Sequence, residues 1–121
     1  MPATPGDWTW SMEGSRSVAR FAGGALVLAC DRANQTVTLS RPGAAPGPVA
    51  MSIQTSALMQ PLTGKPQTGS PPMIVIAFAA RDRALDAMAF SRGRFVVETA
   101  GLPTLYVPSW PEVTRVIEDC R

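Results

Sequence analysis

Apolar and polar residues alternate over short stretches along most of this chain. Trp8, Trp10 and Met12 alternate with Thr9 and Ser11, which is the period of a strand with one face buried. Comparable apolar or alternating runs, separated by short turns, follow at 17–21, 26–30, 36–40, 51–54, 73–80, 94–99 and 104–107. The pattern predicts a β-dominated α+β protein, an antiparallel β-sandwich or small barrel of seven to eight short strands.

The helical period occurs only late in the chain. Asp82 is placed to cap a short helix near 82–91. A C-terminal helix is predicted near 110–120, because Ser109 and Glu112 have the spacing of a capping box. An apolar stripe with helical spacing follows, formed by Val113, Val116, Ile117 and Cys120. The last member of this stripe is therefore expected to face the core.

Proline and glycine mark the longer connections of the chain. Two segments rich in both, Pro42–Pro48 and Pro61–Pro72, are predicted to be loops. Residues 1–6 are predicted to be a disordered lead-in, and residues 7–121 a single β-rich domain without internal repeats. A chain of 121 residues is long enough to bury a core of its own.

Charge and hydropathy exclude two classes of partner. The 11 basic and 9 acidic residues nearly balance, for a formal net charge of +2, whereas a nucleic-acid-binding protein carries a clear basic stripe. No run approaches the roughly 18 apolar residues that a membrane-spanning helix needs. The sequence therefore predicts neither a nucleic-acid partner nor a transmembrane segment.

Cys30 and Cys120 are the only cysteines, and the chain contains no histidine. Two such residues in apolar settings predict a structural disulfide, with two free thiols or a redox-active pair as alternatives. Disulfides persist outside the reducing cytoplasm, so we expect a periplasmic or secreted protein, with a lipid anchor as a further option. This location assumes that a leader peptide has been removed, because the opening residues lack a leader pattern. The alternative is a cytoplasmic protein with two unrelated thiols.

Residues suited to catalysis are scarce. Without histidine, the Ser–His and Cys–His nucleophile pairs and the usual Cys/His metal sites are excluded. Asp82 and Asp86 lie four residues apart on the predicted short helix, and paired carboxylates can serve a hydrolase. A helix cap and an arginine partner explain these two residues better. We therefore expect no catalytic residue, no metal and no cofactor, and interpret the protein as a non-enzyme.

Two sets of side chains are candidates for binding. Four arginines flank the predicted short helix and form a candidate anion or partner patch: Arg81, Arg83, Arg92 and Arg94. Three tryptophans are candidate partner aromatics wherever they are exposed: Trp8, Trp10 and Trp110. The alternative for each set is structural, with the arginines on a solvated face beside carboxylates and the tryptophans in the core.

Three blocks of the chain, Leu28–Ala33, Asp86–Phe95 and Pro108–Arg121, together resemble an uncharacterised family of small exported proteins of sphingomonad-type alphaproteobacteria. The resemblance implies a periplasmic or surface-anchored location and brings no known activity or catalytic residue. The opening Gly6–Trp8 and the β-rich layout are similar to the invasion-associated locus B family of secreted bacterial β proteins. This chain does not reproduce that family's cysteine arrangement, so no function is transferred from it.

These observations predict a non-enzymatic periplasmic or envelope-associated binding domain, whose partner is an unidentified protein or envelope component. The alternative is a small proteinaceous inhibitor of an envelope-active enzyme, a lysozyme or a protease. Such an inhibitor would present Pro42–Pro48 or Pro61–Pro72 to the cleft of its target. The pattern of residues predicts no particular oligomeric state.

Overall fold

The computed structural model describes residues 2–121, which form nine strands and two helices. Helix α1 (Arg83–Ala89) and helix α2 (Pro111–Asp119) lie within the two predicted helical ranges. The predicted β-dominated α+β class is therefore confirmed. The strands are β1 (Trp8–Glu13), β2 (Arg16–Phe21), β3 (Leu26–Asp31), β4 (Thr36–Pro42), β5 (Val49–Gln54), β6 (Met59–Gln67), β7 (Met73–Ala79), β8 (Arg94–Thr99) and β9 (Leu105–Pro108).

All nine strands of the described residues belong to one antiparallel sheet, in the order β1-β2-β3-β4-β7-β6-β5-β8-β9. Strands β1 to β4 follow one another as a meander, after which β4 pairs with β7 and β5 pairs with β8. The order ends at β1 and β9, so the sheet is not closed into a barrel. The architecture is one open sheet of nine strands, where the sequence predicted a sandwich or small barrel of seven to eight.

Strand β6 occupies most of a segment that the sequence predicts to be a loop, Pro61–Pro72. Its first part, Met59–Gly64, pairs with β5, and its second part, Lys65–Gln67, pairs with β7. Each part thus has a single neighbouring strand. Pro61 and Pro66 lack an N–H and are tolerated there, because the backbone nitrogen can face the unpaired side. The loop prediction is wrong over this strand, since proline is excluded only from strand positions whose N–H would have to donate a hydrogen bond to a neighbouring strand.

Period-2 alternation continues through the strands and builds one core. On β7, for example, Ile74, Ile76 and Phe78 are buried, while the residues between them are more exposed. The apolar faces of both helices complete the core. Its largest fully buried side chains include Phe21, Leu28, Leu39, Ile53, Leu85, Met88, Phe95 and Ile117.

The two end strands of the sheet are tied together without a ladder of hydrogen bonds. The Trp8 indole Nε1 donates to the Pro108 carbonyl at 2.8 Å. The Thr4 amide donates to the Tyr106 carbonyl at 3.0 Å, and the Tyr106 amide donates to Thr4 Oγ1 at 2.8 Å. Thr4 belongs to the predicted disordered lead-in, of which Met1 lies outside the described residues.

The two helices begin in different ways. For α1 the predicted cap is observed, because Asp82 Oδ1 accepts a hydrogen bond from the Ala84 amide at 2.8 Å. For α2 the predicted capping box is wrong. Pro111 occupies the first turn, Trp110 is the N-cap residue without a side-chain hydrogen bond, and Ser109 Oγ is buried without a partner. Proline favours the first helical position, which places the helix start one residue later than the capping box requires.

Candidate functional site

Helix α2 lies across strands β1, β2 and β3 and is covalently joined to β3. The predicted disulfide between Cys30 and Cys120 is confirmed, with the two Cα atoms 5.6 Å apart. Val113, Val116 and Ile117 are buried beneath the helix, as the apolar stripe predicts. The stripe and the disulfide together determine which face of α2 is turned away from the core.

Four side chains on β1, β2 and α2 form a closed set of contacts, which we call the Trp10 clamp. Trp10 Nε1 donates to Ser17 Oγ at 2.8 Å, and Ser17 Oγ donates to Asp119 Oδ2 at 2.7 Å. Arg115 Nε donates to the same carboxylate oxygen at 3.1 Å. The Arg115 guanidinium lies over the Trp10 ring, 3.8 Å from its centroid, a distance at which a cation is attracted to the indole face.

The disulfide explains why the clamp can form. Cys30 is opposite Ser17 in the register of β2 and β3, and Asp119 directly precedes Cys120. Joining the two sulfurs therefore brings the Asp119 carboxylate to the Ser17 hydroxyl. The indole N–H of Trp10 is satisfied within the protein, so this side chain is held in one orientation beside α2.

A surface groove of about 670 Å³ begins at the clamp. Trp10 lies on its β1 side and Trp110 on its α2 side, together with Ser109, Pro111, Glu112, Thr114, Arg115 and Glu118. Trp110 is 38% exposed, which makes it one of the few large apolar side chains at the surface of the described residues. Two tryptophans and a proline along one groove form the kind of apolar, aromatic surface found in binding sites.

The charge of this groove is mainly acidic. Glu112 makes no hydrogen bond or ion pair with another described residue, and Glu118 is 3.9 Å from Arg121. The cation Arg115 is already engaged by Asp119 and by the Trp10 ring. The groove therefore favours a ligand that combines apolar groups with positive charge.

Beside this groove, strand β1 has a free edge. The Ala22 amide donates a hydrogen bond to the Asp7 carbonyl. In an antiparallel pair, residues whose main-chain N–H and C=O bond to the neighbouring strand alternate with residues whose N–H and C=O point away from it. Counting from Asp7, the main-chain groups of Trp10 and Met12 point away from β2. Among residues 2–121 no other strand pairs with β1. Within the same residues, the outward main-chain groups of Trp10 and Met12 make no hydrogen bond to another element, and Met12 itself is 53% exposed.

The three candidate tryptophans lie in different environments. Trp10 and Trp110 both line the groove, whereas Trp8 belongs to the core. Trp8 is 4% exposed and its ring lies 5.5 Å from that of Phe21. As a partner aromatic, Trp8 is therefore a wrong candidate, because its side chain is used to hold the two ends of the sheet together.

The candidate arginine patch divides into two pairs. Arg81 and Arg83 are exposed at the start of α1. Arg92 and Arg94 instead line a shallow cavity with Tyr106, and the Arg94 guanidinium lies 5.2 Å from the Tyr106 ring centroid. The cavity that Arg92 and Arg94 line includes neither Arg81 nor Arg83.

The carboxylates near that patch have structural roles. Asp82 caps α1, and Asp86 Oδ1 accepts a hydrogen bond from Arg121 Nη1 at 2.7 Å. The two side chains are thus used in helix capping and in anchoring the chain end. The sequence analysis gave these structural roles, a helix cap and an arginine partner, as the better explanation of the two residues. The hypothesis of a hydrolase that uses both carboxylates therefore gains no support.

Sequence reasoning missed three members of the clamp: Ser17, Arg115 and Asp119. One local signal was present, since Arg115 and Asp119 have the i, i+4 spacing of an ion pair on a helix. Ser17 carried no signal, because the carboxylate to which it donates, Asp119 on α2, lies about a hundred residues away along the chain.

Comparison of the chain with protein-family models, curated proteins and solved structures found no match. Neither helix of residues 2–121 has the length and apolar character required to cross a membrane. Within the same residues, no three His, Cys, Asp or Glu side chains are grouped where they could hold a metal ion.

Proposed function

We propose that this protein is a non-enzymatic, extracytoplasmic binding domain that holds an extended segment of a partner protein. The segment would lie along the free edge of β1 and place an apolar side chain in the Trp10–Trp110 groove. The observation that carries the proposal is the position of the clamped Trp10, which is shared by the free strand edge and the groove.

Strand addition explains how such a segment would be recognised. The outward main-chain groups of Trp10 and Met12 offer hydrogen bonds to any extended chain, and the groove selects its side chains. The carboxylates of Glu112 and Glu118 favour a basic residue next to the apolar one. Tryptophan is common among the residues that dominate binding energy, and Trp10 loses little freedom on binding because the clamp already holds it.

The proposed location is the periplasm or the cell exterior. The support is the Cys30–Cys120 disulfide, since such bonds are rare in the reducing cytoplasm. The resemblance to exported alphaproteobacterial proteins agrees with this location, with an envelope protein as the partner.

Support for the inhibitor alternative is weaker. It relied on two loops, and most of Pro61–Pro72 is occupied by β6. The irregular connections that remain are the segment between β4 and β5, within Pro42–Pro48, and the five residues 68–72 between β6 and β7. We therefore favour the groove over the loops as the binding surface.

Replacing Trp110 with alanine is expected to weaken partner binding by about 30-fold, which corresponds to the roughly 2 kcal/mol of an interface hot spot. Binding would be measured by affinity capture from an envelope extract, followed by titration of the captured protein. Phe90→Ala is the matched control, because Phe90 is 75% exposed on another surface. Equal loss of the captured protein in both variants, or in neither, would argue against the groove.

Met12→Pro tests the free edge separately from the groove. This substitution removes one outward N–H of β1 and leaves the hydrogen bonds to β2, whereas Met12→Ala keeps the N–H and removes the same side chain. Binding should fall about tenfold or more in Met12→Pro relative to Met12→Ala, because a main-chain hydrogen bond and the space for the added strand are both lost. Equal affinities of the two variants would contradict strand addition.

A further inference from the structure

Two exposed apolar side chains lie where α1 ends and β6 begins. Phe90, the C-cap residue of α1, is 75% exposed, and Met59, the first residue of β6, is 64% exposed. The turns beside them are joined, because the Ser56 amide donates to Ser91 Oγ at 3.0 Å and the Arg92 amide donates to Ser56 Oγ at 3.1 Å. A single apolar side chain at a surface needs no explanation. These two are the most exposed large apolar side chains of residues 2–121, and they flank the same pair of turns.

Phe90 continues the outward face of α1. Arg83, Ala87 and Phe90 have the spacing of four and three residues that places side chains on one face of a helix, and the buried residues of α1 lie away from this face. Arg83 is exposed and Ala87 is half-buried. The outward face of α1 therefore has a cation at its beginning and an aromatic ring at its end.

Residues 81–94 carry the excess positive charge of the chain. They contain four arginines and two aspartates, and the resulting formal charge of +2 equals the net charge of the whole protein. Both aspartates are already engaged, since Asp82 caps α1 and Asp86 pairs with Arg121. The ion pairs of the described residues include none of three arginines in this segment, Arg81, Arg83 and Arg92. Positive charge is therefore exposed at both ends of α1.

The cavity lined by Arg92 and Arg94 has a volume of about 350 Å³, and none of its described lining residues is acidic. Apart from the two arginines, they are Gln54, Thr55, Ser56, Val96 and Tyr106. The Ser56 hydroxyl accepts a hydrogen bond from the Arg92 amide, so its O–H can donate to a further group. The next acidic residue of β8, Glu98, lines a separate cavity. Guanidinium and hydroxyl donors without a competing carboxylate suit the oxygen atoms of a phosphate group.

We propose that the α1 surface, formed by residues 81–94 and by the turn 55–58 with Met59, docks on the headgroups of an anionic phospholipid membrane. The arginines contact phosphate groups, and the side chains of Phe90 and Met59 enter the boundary between headgroups and acyl chains. A free phosphate ion would pair with the arginines but would leave both apolar side chains in water, so a lipid surface accounts for more of the observations. The α1 surface shares no residue with the Trp10–Trp110 groove, and its role does not depend on the function proposed for that groove.

Sedimentation with vesicles tests the docking on the purified protein. Vesicles of phosphatidylcholine alone are compared with vesicles of phosphatidylcholine and phosphatidylglycerol in equal parts. The protein should bind the anionic vesicles at least about tenfold more strongly than the neutral ones, and added salt should weaken this binding. Equal binding to both kinds of vesicle, or binding to neither, would overturn the proposal. Inorganic phosphate should release the protein no better than sodium chloride of the same ionic strength, and selective release by phosphate would assign the arginines to a soluble phosphate instead.

Variants separate docking through the α1 surface from a general attraction of a positively charged protein to the vesicles. Arg92→Gln keeps the amide that bonds Ser56 and should weaken binding about fivefold, the effect of one basic residue near an anionic membrane. Lys65→Gln is the matched control, because it removes the same charge from an exposed position of β6 that lies six residues beyond Met59. It should bind like the wild-type protein. Phe90→Ser should weaken binding about tenfold, and Phe90→Leu should recover most of the loss because an apolar side chain is restored. Equal losses in the Arg92 and Lys65 variants, or wild-type binding by Phe90→Ser, would contradict this docking surface.

Lipid contact can also be mapped on the unaltered protein. Met59 lies at one end of β6, and Met73 is opposite Gln67 at the other end. Anionic vesicles that contain nitroxide-labelled phosphatidylcholine should broaden the methyl resonance of Met59 and leave that of Met73 sharp, because only the first enters the lipid boundary. Comparable broadening of the two resonances, or broadening of neither, would overturn the placement of the membrane at the α1 surface.

Discussion

Reduction of the Cys30–Cys120 disulfide is expected to lower the free energy of unfolding by about 4–5 kcal/mol. The two cysteines are 90 residues apart, so the bond closes a long loop in the unfolded chain and removes much of its conformational freedom. Domains of this size are typically stable by about 5–15 kcal/mol, so the loss is a large share of the total. Urea unfolding followed by circular dichroism, with and without reductant, measures it.

The double variant Cys30→Ala/Cys120→Ala is the control for this experiment. It should unfold near the midpoint of the reduced wild-type protein, and adding reductant should leave it unchanged. The dependence of the unfolding free energy on urea should be steeper without the bond, because the unfolded chain then exposes more surface. If oxidised and reduced wild-type protein unfolded at the same urea concentration, the disulfide would contribute no net stability.

Trp8→Ala is expected to cost about 3–5 kcal/mol of unfolding free energy, the range measured for truncating a large aromatic side chain in a core. Trp8 is 4% exposed, packs against Phe21 and donates a hydrogen bond to the Pro108 carbonyl. Its removal leaves a cavity and removes the side-chain hydrogen bond that links β1 to β9, the two ends of an open sheet. Chemical denaturation measures the loss.

Two variants make the Trp8 result specific. Trp8→Phe keeps an aromatic ring in the core but leaves the Pro108 carbonyl without its donor, so it should cost about 1–3 kcal/mol. Phe90→Ala removes an aromatic side chain that is 75% exposed and should stay within about 0.5 kcal/mol of wild type. A Trp8→Ala variant as stable as Phe90→Ala would contradict the role of Trp8 in closing the core.

The disulfide and the groove are parts of one arrangement. The bond holds the C-terminal end of α2 on β3, and Asp119, one residue before Cys120, completes the Trp10 clamp. In the proposed binding mode, the partner meets a surface that is already in its bound conformation. Preorganisation of this kind raises affinity by reducing the freedom lost on binding.

Local patterns predicted most strands, and they failed where two local signals competed. The alternation around Trp8 and Trp10 identified β1. Strand β6 was predicted to be a loop because of Pro61 and Pro66, since a proline fits a strand only where its nitrogen faces a side without a neighbouring strand. At α2, the capping-box spacing of Ser109 and Glu112 competed with Pro111, and the proline determined where the helix begins. The burial of Arg41 was not predicted, for a different reason. The period that turns Val37 and Leu39 inward also turns Arg41 inward, although its charge suggests a surface position.

The sequence by itself determined the β-dominated class and the buried face of α2, because the periods of apolar residues report which face of a strand or helix is buried. It predicted the disulfide without excluding free thiols, and the structure brings the two cysteines together. Only the tertiary structure decided that the sheet is a single open one, that Trp8 is core while Trp10 and Trp110 form a groove, and that Arg41 is buried. The physical reason is that these features depend on contacts between residues far apart in the chain. Ser17 meets Asp119, and Trp8 meets Pro108, only once strand order and helix position are set.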